Sequence, residues 1–257
     1  MAPLPQTPAD GVAWVTGASS GIGREVAARL AKGGWRVVVS ARSEAALAAL
    51  AAEHPGRIVP FRLDAEDRAA AATAVARIEA EVGPIALAVL NAGIYLPVKG
   101  DALTLEPFTR SVAVNLTGTV DVLVPLIDAM KTRRKGQIAV VSSVAGYSGL
   151  PTSAAYGATK AALFNLCESL KFDLDRLGIL LQVVSPGFVD TPATKTNPFP
   201  MPFLISVETA GERIVRGLGR RAFEITFPRR FTYGLKALRL LPYSLYFPIV
   251  KRFTGWT

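Results

Sequence analysis

Three side chains near the middle of the chain have the residue types and spacing of a proton-transfer group. Tyr156 and Lys160 lie four residues apart, and Ser143 lies thirteen residues before Tyr156. On a helix, positions i and i+4 share one face, so the phenol and the ammonium would lie about one turn apart. A phenol loses its proton near pH 10, and one ammonium at about 4 Å lowers that pKa by about 3 units at an effective dielectric of about 20. The spacing therefore predicts a tyrosine that exchanges a proton near pH 7.

A glycine-rich turn follows the first apolar run of the chain, residues 12–16, and precedes a helix predicted for residues 21–32. The turn reads Thr16-Gly17-Ala18-Ser19-Ser20-Gly21-Ile22-Gly23. Glycines at these positions permit a tight turn, close approach of the backbone to a pyrophosphate, and close packing of helix on strand. The free amides and the positive end of the helix dipole would then hold the phosphates. A turn without a ligand is the alternative, but its place between strand and helix favours a dinucleotide.

The residue that follows the second strand indicates which dinucleotide would bind. An acidic residue is expected there, about 20 positions past the loop, to hold the adenosine ribose. In this chain the predicted strand 36–40 is followed by Ala41 and Arg42. A guanidinium can bind a 2′-phosphate that a carboxylate would repel. The sequence therefore predicts NADP(H) in preference to NAD(H), and a solvated strand-end charge is the alternative for Arg42.

Apolar strands alternate with helical segments along most of the chain. The predicted strands are 12–16, 36–40, 58–63, 85–90, 137–142, 180–185 and 222–227, and the predicted helices are 21–32, 44–53, 66–82, 107–134, 155–177 and 207–218. Basic residues followed by Gly136 are expected to end the helix 107–134. This alternation predicts an α/β fold, a single-domain Rossmann-like doubly wound parallel sheet of about seven strands with helices on both faces.

These motifs together resemble those of the short-chain dehydrogenase/reductase family, over about residues 10–227. The matching positions are, in order, the loop 16–23, Asp64, Asn91-Ala92-Gly93, Asn115, Ser143, Tyr156, Lys160, Pro186-Gly187 and Thr191. Two positions depart from the family pattern. Leu90 replaces an asparagine found in many relatives, and Ser19 and Ser20 stand where many NADP users carry a basic residue. The prediction of NADP(H) therefore depends mainly on Arg42.

The resemblance also implies a role for each matching residue. Tyr156 would be the catalytic acid/base, Lys160 would bind the nicotinamide ribose, and Ser143 would hydrogen-bond the substrate oxygen. Asn115 would help to hold a proton-relay water beside Lys160. The other implied contacts are Asp64 with the adenine, Asn91 with the adenosine ribose, the loop residues and Ala92 and Gly93 with the dinucleotide, and Pro186, Gly187, Val189 and Thr191 with the nicotinamide. Taken alone, Ser143 could instead cap a strand end, and Asn115 could lie at a helix kink.

Apolar residues near these motifs indicate a hydrophobic substrate. The segment 191–205 lies where the family has a mobile substrate lid, and its apolar part is Pro198-Phe199-Pro200-Met201-Pro202-Phe203-Leu204. The loop before Tyr156 adds Ala145, Tyr147, Leu150 and Pro151. These side chains would surround an apolar ketone or aldehyde, or the corresponding alcohol. Packing of the lid against the protein body is the equally weighted alternative.

The net charge of +9 is concentrated at the end of the chain, since residues 213–257 hold ten basic residues and one acidic residue. From residue 228 onward, basic residues alternate with aromatic and leucine residues. We therefore divide the chain into an oxidoreductase domain, 1–227, and a basic, helical, amphipathic extension, 228–257. This composition is typical of contact with a membrane surface. Folding over the substrate mouth or a subunit interface are alternatives, and without a recognised binding module we expect no nucleic acid partner.

The remaining composition limits the chemistry and the location. Cys167 is the only cysteine and His54 the only histidine, so we expect no internal disulfide and no transition-metal site. We expect a cytoplasmic protein, with peripheral membrane association through the extension. No secretory signal is expected in residues 1–11, and no stretch reaches the roughly 20 apolar residues that span a bilayer.

The sequence thus predicts an NADP(H)-dependent oxidoreductase of the carbonyl reductase type. A catalytically silent cofactor-binding regulator or scaffold is the alternative. A sugar-nucleotide epimerase or dehydratase could share the Tyr156 and Lys160 spacing, but the length of 257 residues and the glycine spacing disfavour it. The helices 107–134 and 155–177 resemble those of the family's subunit interface, which implies a homodimer or homotetramer.

Overall fold

The computed structural model describes residues 3–195 and 200–256. Within these residues, the strands form one parallel sheet in the order β3-β2-β1-β4-β5-β6-β7. The strands are β1 Val12–Thr16, β2 Val37–Ser40, β3 Ile58–Pro60, β4 Ile85–Leu90, β5 Gly136–Val141, β6 Ile179–Pro186 and β7 Glu224–Phe227. The helices are α1 Gly21–Lys32, α2 Glu44–Glu53, α3 Arg68–Glu81, α4 Glu106–Ser111, α5 Gly118–Arg133, α6 Ala154–Arg176, α7 Val207–Leu218, α8 Arg229–Arg239 and α9 Tyr243–Thr254.

Helices cover both faces of the sheet, as predicted. On one face α1, α2 and α7 bury residues such as Val26, Leu47 and Ile214 in one core cluster with the sheet. On the other face α3, α5 and α6 bury residues such as Ile78 and Leu126. Because both faces are buried, the central strands are continuous apolar runs rather than alternating ones. The predicted fold class is confirmed.

The strand order changes direction at β1, and this places the site. β1 pairs with β2 on one side and with β4 on the other, so chain connections leave the sheet in opposite directions at their carboxyl ends. Such a switch point opens a crevice in which doubly wound sheets bind ligands. The glycine turn after β1 and the segment after β4 both lie at this crevice.

The long helix expected at 107–134 is interrupted and ends differently. Residues Val112–Thr117 form a π-helical segment between α4 and α5. α5 ends at a left-handed Arg134 (φ 51°), not at a glycine. Gly136 instead begins β5, where a Cβ would lie 2.2 Å from the Met130 sulfur. The expected glycine cap is therefore wrong, because close packing of Met130 requires the glycine in the strand.

We expected no segment long and apolar enough to cross a membrane. By length and composition alone, one helical run of the described residues is, contrary to that expectation. The helical run Glu106–Arg133 meets that test on length and mean hydropathy alone. Its buried residues Val122, Leu123 and Leu126 face the sheet. A core helix with one face on a sheet acquires the same composition, so this run is weak evidence for a membrane span.

The C-terminal extension is helical, as predicted, and is attached to the body at defined points. α8 follows β7 directly, and its Lys236 pairs with Glu224 of that strand. Tyr246 of α9 is buried, and its hydroxyl donates to the carbonyl oxygen of Gly149 over 2.5 Å and to Oγ of Ser148 over 3.1 Å. These contacts hold α8 and α9 beside the segment that precedes α6.

Candidate active site

The first two turns of α6 bring Tyr156 and Lys160 together in the protein interior. Lys160 is buried, and its Nζ lies 5.6 Å from the centre of the Tyr156 ring. The ammonium donates a hydrogen bond to the carbonyl oxygen of Val141, 2.8 Å away, at the end of β5. The spacing of four residues therefore does place both groups on one helix face, with the ammonium anchored by the sheet.

The pKa of Tyr156 is shifted in the opposite direction to the one that the sequence predicts. The pKa of Tyr156 is raised to about 12, mainly by burial, which is partly offset by a hydrogen bond with Ser143 and reinforced by the nearby Tyr95. Burial also lowers the pKa of Lys160 to about 8. The predicted lowering of the Tyr156 pKa is wrong here, because burial of the phenol disfavours its charged form. Tyr156 is therefore a protonated phenol at neutral pH, suited to donating a proton.

Ser143 lies two residues after the end of β5 and has two functions. Its Oγ accepts a hydrogen bond from the amide of Ala145 over 3.1 Å, which begins the short 3₁₀ turn Val144–Gly146. It also forms the hydrogen bond with Tyr156. Ser143 therefore does act as a cap after β5. Its hydroxyl also lies next to the Tyr156 phenol.

Asn115 lies in the π-helical segment and is completely buried. Its Oδ1 accepts from the amide of Ile94 over 2.7 Å, and its Nδ2 donates to the carbonyl of Ile94 over 3.0 Å and to Oγ1 of Thr159 over 3.1 Å. A Cβ on Gly93 would lie 3.2 Å from Asn115 Oδ1 and 3.4 Å from Lys160 Nζ. Asn115 therefore joins the segment after β4 to α6 immediately beside Lys160.

The glycine turn forms one wall of a cleft at the carboxyl ends of β1, β2 and β4. Gly17 has φ +66°, and a Cβ there would lie 2.8 Å from Cα of Ala92. Gly23 leaves even less space, since its Cβ would lie 2.4 Å from the carbonyl oxygen of Gly17. Ser20 precedes α1 without capping it through its side chain, and the first turn of α1 carries no acidic residue. The amino end of α1 therefore faces the cleft with its amides available to an anion.

Asn91 fixes the opposite wall of this cleft. Its Nδ2 donates to the carbonyl oxygens of Thr16 and Gly17, each over 3.2 Å, and its amide donates to Oγ1 of Thr16 over 3.0 Å. The side chain thus ties the end of β4 to the glycine turn. The cleft is also lined by Ser19, Ser20, Gly21, Ile22, Arg42, Asp64, Ala92, Gly93 and Thr191.

Arg42 lies at the far end of the cleft and is exposed. It has no ion-pair partner among residues 3–195 and 200–256. Asp64 lines the cleft nearby, and its Oδ1 accepts from the amide of Glu66 over 3.1 Å. A free guanidinium at this edge is available to an anionic group of a bound molecule.

A second cavity of about 690 Å³ adjoins this cleft and contains the tyrosine. Ser143, Tyr156 and Lys160 lie along its wall, and Ile22, Asn91, Gly93, Ile94 and Thr191 line both spaces. Most of the remaining wall is apolar and comes from Ala145, Leu150, Pro151, Pro186, Phe188, Val189, Pro200, Met201, Pro202, Phe203, Phe231, Leu235, Leu238, Ile249, Val250 and Phe253. The chain therefore has an apolar chamber that opens onto a polar cleft, with a phenol in the chamber wall.

The sequence profile of the short chain dehydrogenases matches residues 11–199 of this chain, from β1 into the lid. The chain belongs to the short-chain dehydrogenase/reductase family. It is 35% identical over 243 residues to an uncharacterized oxidoreductase of Myxococcus xanthus, covering 93% of this chain and 96% of that protein. It is 33% identical over 181 residues to the 3-oxoacyl-(acyl-carrier-protein) reductase MabA of Mycobacterium avium, covering 70% of this chain and 68% of that protein.

Solved structures of other short-chain dehydrogenases have the same fold. A short-chain dehydrogenase from Sphingobium yanoikuyae in complex with NADPH aligns with a TM-score of 0.79 at 27% identity, covering 88% of this chain and 91% of that one. A variant of actinorhodin polyketide ketoreductase with NADPH aligns with a TM-score of 0.76 at 28% identity, covering 84% and 95%. This protein is therefore an oxidoreductase of the short-chain dehydrogenase/reductase type.

The cleft of this short-chain dehydrogenase/reductase fits a nicotinamide dinucleotide. Because Gly17 and Gly23 have no side chain, the backbone of the turn packs closely at both positions. The amino end of α1 is open to phosphates. Lys160 would hold the nicotinamide ribose next to Tyr156. Pro186, Gly187, Val189 and Thr191, at and after the end of β6, line the chamber, and Thr191 also lines the cleft. When bound, the nicotinamide supplies or accepts the hydride.

One residue expected at the substrate lies elsewhere. Tyr147 is buried away from the chamber, and its hydroxyl donates to Glu224 and lies 3.0 Å from Oγ1 of Thr226. Burial and the bond to Glu224 raise the pKa of Tyr147 well above its ordinary value. Its predicted role in substrate contact is wrong, because the turn after Ser143 directs this side chain towards β7.

The structure also adds residues that the sequence analysis missed. The Tyr95 ring meets the Tyr156 ring edge-on at 5.2 Å, and its hydroxyl lies 2.9 Å from Oγ1 of Thr152. The position of Tyr95 two residues after Asn91-Ala92-Gly93 was a usable signal, since that segment ends beside the site. The lining of the chamber by α8 and α9, in contrast, agrees with the alternative that the C-terminal extension folds over the substrate mouth.

The two alternatives for the lid are both partly correct. Pro200 to Phe203 line the chamber, whereas Pro198 and Phe199 lie outside the described residues. The Phe203 ring also packs at 5.7 Å from the Phe231 ring of α8. The lid therefore contacts both the substrate space and the C-terminal helices.

Proposed function

We propose that this oxidoreductase uses NADP(H) to interconvert an apolar ketone or aldehyde and the corresponding alcohol. The observation that carries the proposal is the chamber itself. A phenol that is protonated at neutral pH, with Ser143 beside it, lies in the wall of an apolar space that meets the dinucleotide cleft. A volume of about 690 Å³ suits a drug-sized apolar molecule.

The proposed reduction uses the protein as proton donor and hydrogen-bond donor. Tyr156 gives its phenolic proton to the carbonyl oxygen while a hydride reaches the carbonyl carbon, and the product is the alcohol. The Ser143 hydroxyl donates a hydrogen bond to the same oxygen, where negative charge develops. Lys160 holds the ribose, and Asn115 fixes the segment beside it and supports a water that returns a proton to Tyr156. In oxidation the same groups act in the reverse order.

The preference for NADP(H) is supported by Arg42. Its exposed guanidinium lies at the edge of the cleft without an ion-pair partner in the described ranges, and no carboxylate follows β2 at that point. Two structural relatives are complexes with NADPH, and one sequence relative is named a 3-oxoacyl-(acyl-carrier-protein) reductase. These relatives support carbonyl reduction as the direction to test first.

Replacement of the phenol tests the proposed chemistry. Tyr156→Phe removes the proton donor but keeps the ring, so NADPH oxidation with aromatic, steroid and long-chain ketones should fall by about 10²–10⁴-fold or more. NADPH affinity, measured by calorimetry, should be nearly unchanged. Near-normal turnover in this variant would show that the proton comes from another group. Absence of turnover in the wild-type protein across a broad carbonyl screen would favour a cofactor-binding scaffold instead.

We further propose a homodimer or homotetramer formed through α5 and α6, in a reducing, cytoplasmic environment. Val124 of α5 and Phe172 of α6 are exposed large apolar residues on faces turned away from the sheet. The single cysteine, Cys167, is buried, and burial raises the pKa of its thiol to about 12, so it is poorly reactive. A single, buried and poorly reactive cysteine suits a protein that does not depend on disulfides.

A further inference from the structure

We propose that α8 and α9 place the mouth of the substrate chamber on an anionic lipid bilayer, from which the substrate enters. The inference depends on the proposed function in one respect, since it assumes an apolar substrate. It adds two points to that function: α8 and α9 bind a lipid bilayer, and the substrate enters from this bilayer.

The helices that carry the basic charge also form the chamber wall. Leu235 and Leu238 of α8 and Ile249, Val250 and Phe253 of α9 line the chamber. Phe253 lines the chamber and is also 78% exposed, so the opening lies at the surface of α9. A ligand that enters there must pass over the outer surface of the two helices.

That outer surface is apolar and aromatic. Leu240 is 85% exposed and Tyr243 is 76% exposed, and Leu245 and Phe247 are each more than half exposed. The Tyr243 ring stacks on the Phe247 ring at 5.6 Å, so the two form one aromatic surface. Large exposed apolar patches mark interaction sites, and exposed aromatic rings suit the level of lipid headgroups.

The same two helices are strongly cationic. Residues 228–256 contain six basic residues and no acidic residue. Lys236 is paired with Glu224, but the other five, Arg229, Arg230, Arg239, Lys251 and Arg252, are exposed and make no ion pair within the described residues. Cations beside an aromatic and leucine surface match an anionic bilayer in both respects.

Other occupants match this surface less well. A second copy of the chain would bring five unpaired cations against five more, and like charges at an interface are unfavourable. An acidic protein would neutralise the cations but would not account for an apolar mouth within the patch. A bilayer pairs the cations, covers the exposed rings and holds apolar ketones at the entrance.

The attachment of α9 would keep the chamber oriented at the bilayer. Tyr246 ties α9 to Ser148 and Gly149, immediately before Leu150 and Pro151 of the chamber wall. Lys236 ties α8 to β7. The surface is therefore fixed to the active-site end of the protein rather than carried on a separate tail.

Vesicle flotation of the full chain tests the inference without measuring turnover. The wild-type protein should float with vesicles that contain phosphatidylglycerol and not with pure phosphatidylcholine vesicles, and high salt should reduce binding. One triple variant reverses charge, Arg239→Glu/Lys251→Glu/Arg252→Glu, and a second removes apolar surface, Leu240→Ser/Tyr243→Ser/Phe247→Ser. Each should lower the bound fraction at least about ten-fold, because both attractions contribute.

A matched control reverses three cations at the amino edge of the sheet, Lys32→Glu/Arg36→Glu/Arg57→Glu. These residues are exposed and make no ion pair within the described ranges, so the net charge changes equally. This control should float like the wild type, since its charges lie far from α8 and α9. Equal flotation of control and α8/α9 variants, or no flotation of the wild-type protein on anionic vesicles, would overturn the inference.

Calorimetry with NADPH on the same samples separates this inference from the proposed function. A wild-type protein that binds NADPH but does not float refutes bilayer docking and leaves the oxidoreductase proposal intact. A protein that floats but binds no NADPH refutes the proposed function and leaves the docking surface intact. Retained NADPH binding in the triple variants also shows that they are folded, and if they do not fold, the wild-type lipid and salt dependence decides.

Discussion

Burial is the main cause of the pKa shifts of Tyr156 and Lys160, the two ionisable residues at the centre of the site. Tyr156 stays protonated up to about pH 12, whereas Lys160 loses its charge near pH 8. The proton donor is therefore present throughout the neutral range, and the group that changes between pH 7 and 9 is the ammonium. Lys160 also donates to the carbonyl of Val141, so its loss of charge weakens a bond to the sheet.

We predict that ketone reduction declines as pH rises through about 8, because a neutral Lys160 holds the ribose hydroxyls less strongly. NADPH affinity should decline over the same range, and calorimetry between pH 6.5 and 9.5 measures it. Lys160→Met should bind NADPH weakly at every pH, without that decline. An unchanged affinity of the wild-type protein across this range would contradict the assignment.

Lys160 also predicts a pH dependence of stability. Its folded pKa of about 8 lies below the ordinary lysine pKa of 10.5, so between these values the unfolded chain holds a proton that the folded protein has released. Unfolding then takes up a proton, and stability rises with pH in that window. The free energy of unfolding of the wild type, relative to Lys160→Met, should therefore increase from pH 8 to 10 in denaturant titrations. A parallel course of the two proteins would show that Lys160 titrates normally in the folded state.

Arg42 is the residue on which cofactor preference depends. Arg42→Ala should weaken NADPH binding by about ten-fold or more and leave NADH binding almost unchanged, because one charge-assisted contact with a phosphate is lost. Arg57→Ala, at the amino edge of the sheet, removes an equally exposed arginine and should have no effect. Equal losses for both coenzymes in Arg42→Ala would mean that the guanidinium does not bind the 2′-phosphate.

Among the structural elements, the glycine turn and α8 show two ways in which packing positions the site. The turn depends on the absence of side chains, since a Cβ on Gly23 would meet the carbonyl of Gly17 at 2.4 Å. α8 depends on a polar cluster, in which Glu224 of β7 accepts from both Lys236 and Tyr147. Lys236 also lies 5.1 Å from the centre of the Tyr147 ring. The first contact shapes the cofactor cleft and the second fixes the chamber wall.

Gly23→Ala should lower the melting temperature by several degrees and abolish detectable NADPH binding, because the turn must move away from α1. Gly100→Ala is the matched control, since a Cβ there meets nothing within 4 Å. Thermal melting and calorimetry of the two variants give the comparison. Similar behaviour of both would show that the turn tolerates a side chain.

Glu224→Ala should destabilise the protein by about 1–3 kcal/mol, because it leaves the Lys236 ammonium and the Tyr147 hydroxyl without their acceptor. Lys236→Met should cost less, since Tyr147 then keeps its bond to Glu224. Denaturant unfolding measures both changes. If Glu224→Ala were as stable as the wild type, the cluster would not hold α8 on β7.

The whole molecule combines an electrically balanced body with a basic end. All of the net charge of +9 comes from residues 213–257. Exposed apolar residues occur on α5 and α6 and also on α9. The two proposed contacts, a subunit interface and a bilayer surface, therefore use different helices.

We predict that Phe172→Glu converts the oligomer to smaller species, because a charge on a 76% exposed phenylalanine of α6 would be buried at the interface. Leu4→Glu, on an exposed residue near the amino terminus, is the control and should not change the oligomer. Sedimentation velocity measures the mass of each protein. A wild-type monomer, or an unchanged oligomer in Phe172→Glu, would refute the interface.

The sheet and the positions of the site residues follow from patterns that are local in sequence. The glycine turn after β1 and the four-residue spacing of Tyr156 and Lys160 are set by strand and helix periodicity, so both could be predicted. The pKa of Tyr156 could not, because its direction depends mainly on burial, which only the folded structure shows. The turn of Tyr147 towards Glu224, 77 residues later, is likewise invisible in the sequence.

The C-terminal helices show the same limit at larger scale. Their basic and aromatic composition predicted an amphipathic surface, with folding over the substrate mouth as an alternative, but did not indicate that Leu235 or Val250 would line the chamber. The cap of α5 at Arg134 also depends on a neighbour, since Met130 takes the space that any Cβ on Gly136 would need. Local sequence patterns thus predict the strands and helices. Contacts between distant segments determine the protonation of Tyr156 and Lys160 and the residues that line the chamber.

Calorimetric titration of the pure, folded protein with NADPH and with NADH tests the central claim most directly. The claim is that a nicotinamide coenzyme lies across the carboxyl edge of the sheet, with its reactive ring next to Tyr156. We predict saturable binding of NADPH, with NADH at least about ten-fold weaker because it lacks the 2′-phosphate that Arg42 would bind. Failure of both coenzymes to bind would contradict the claim.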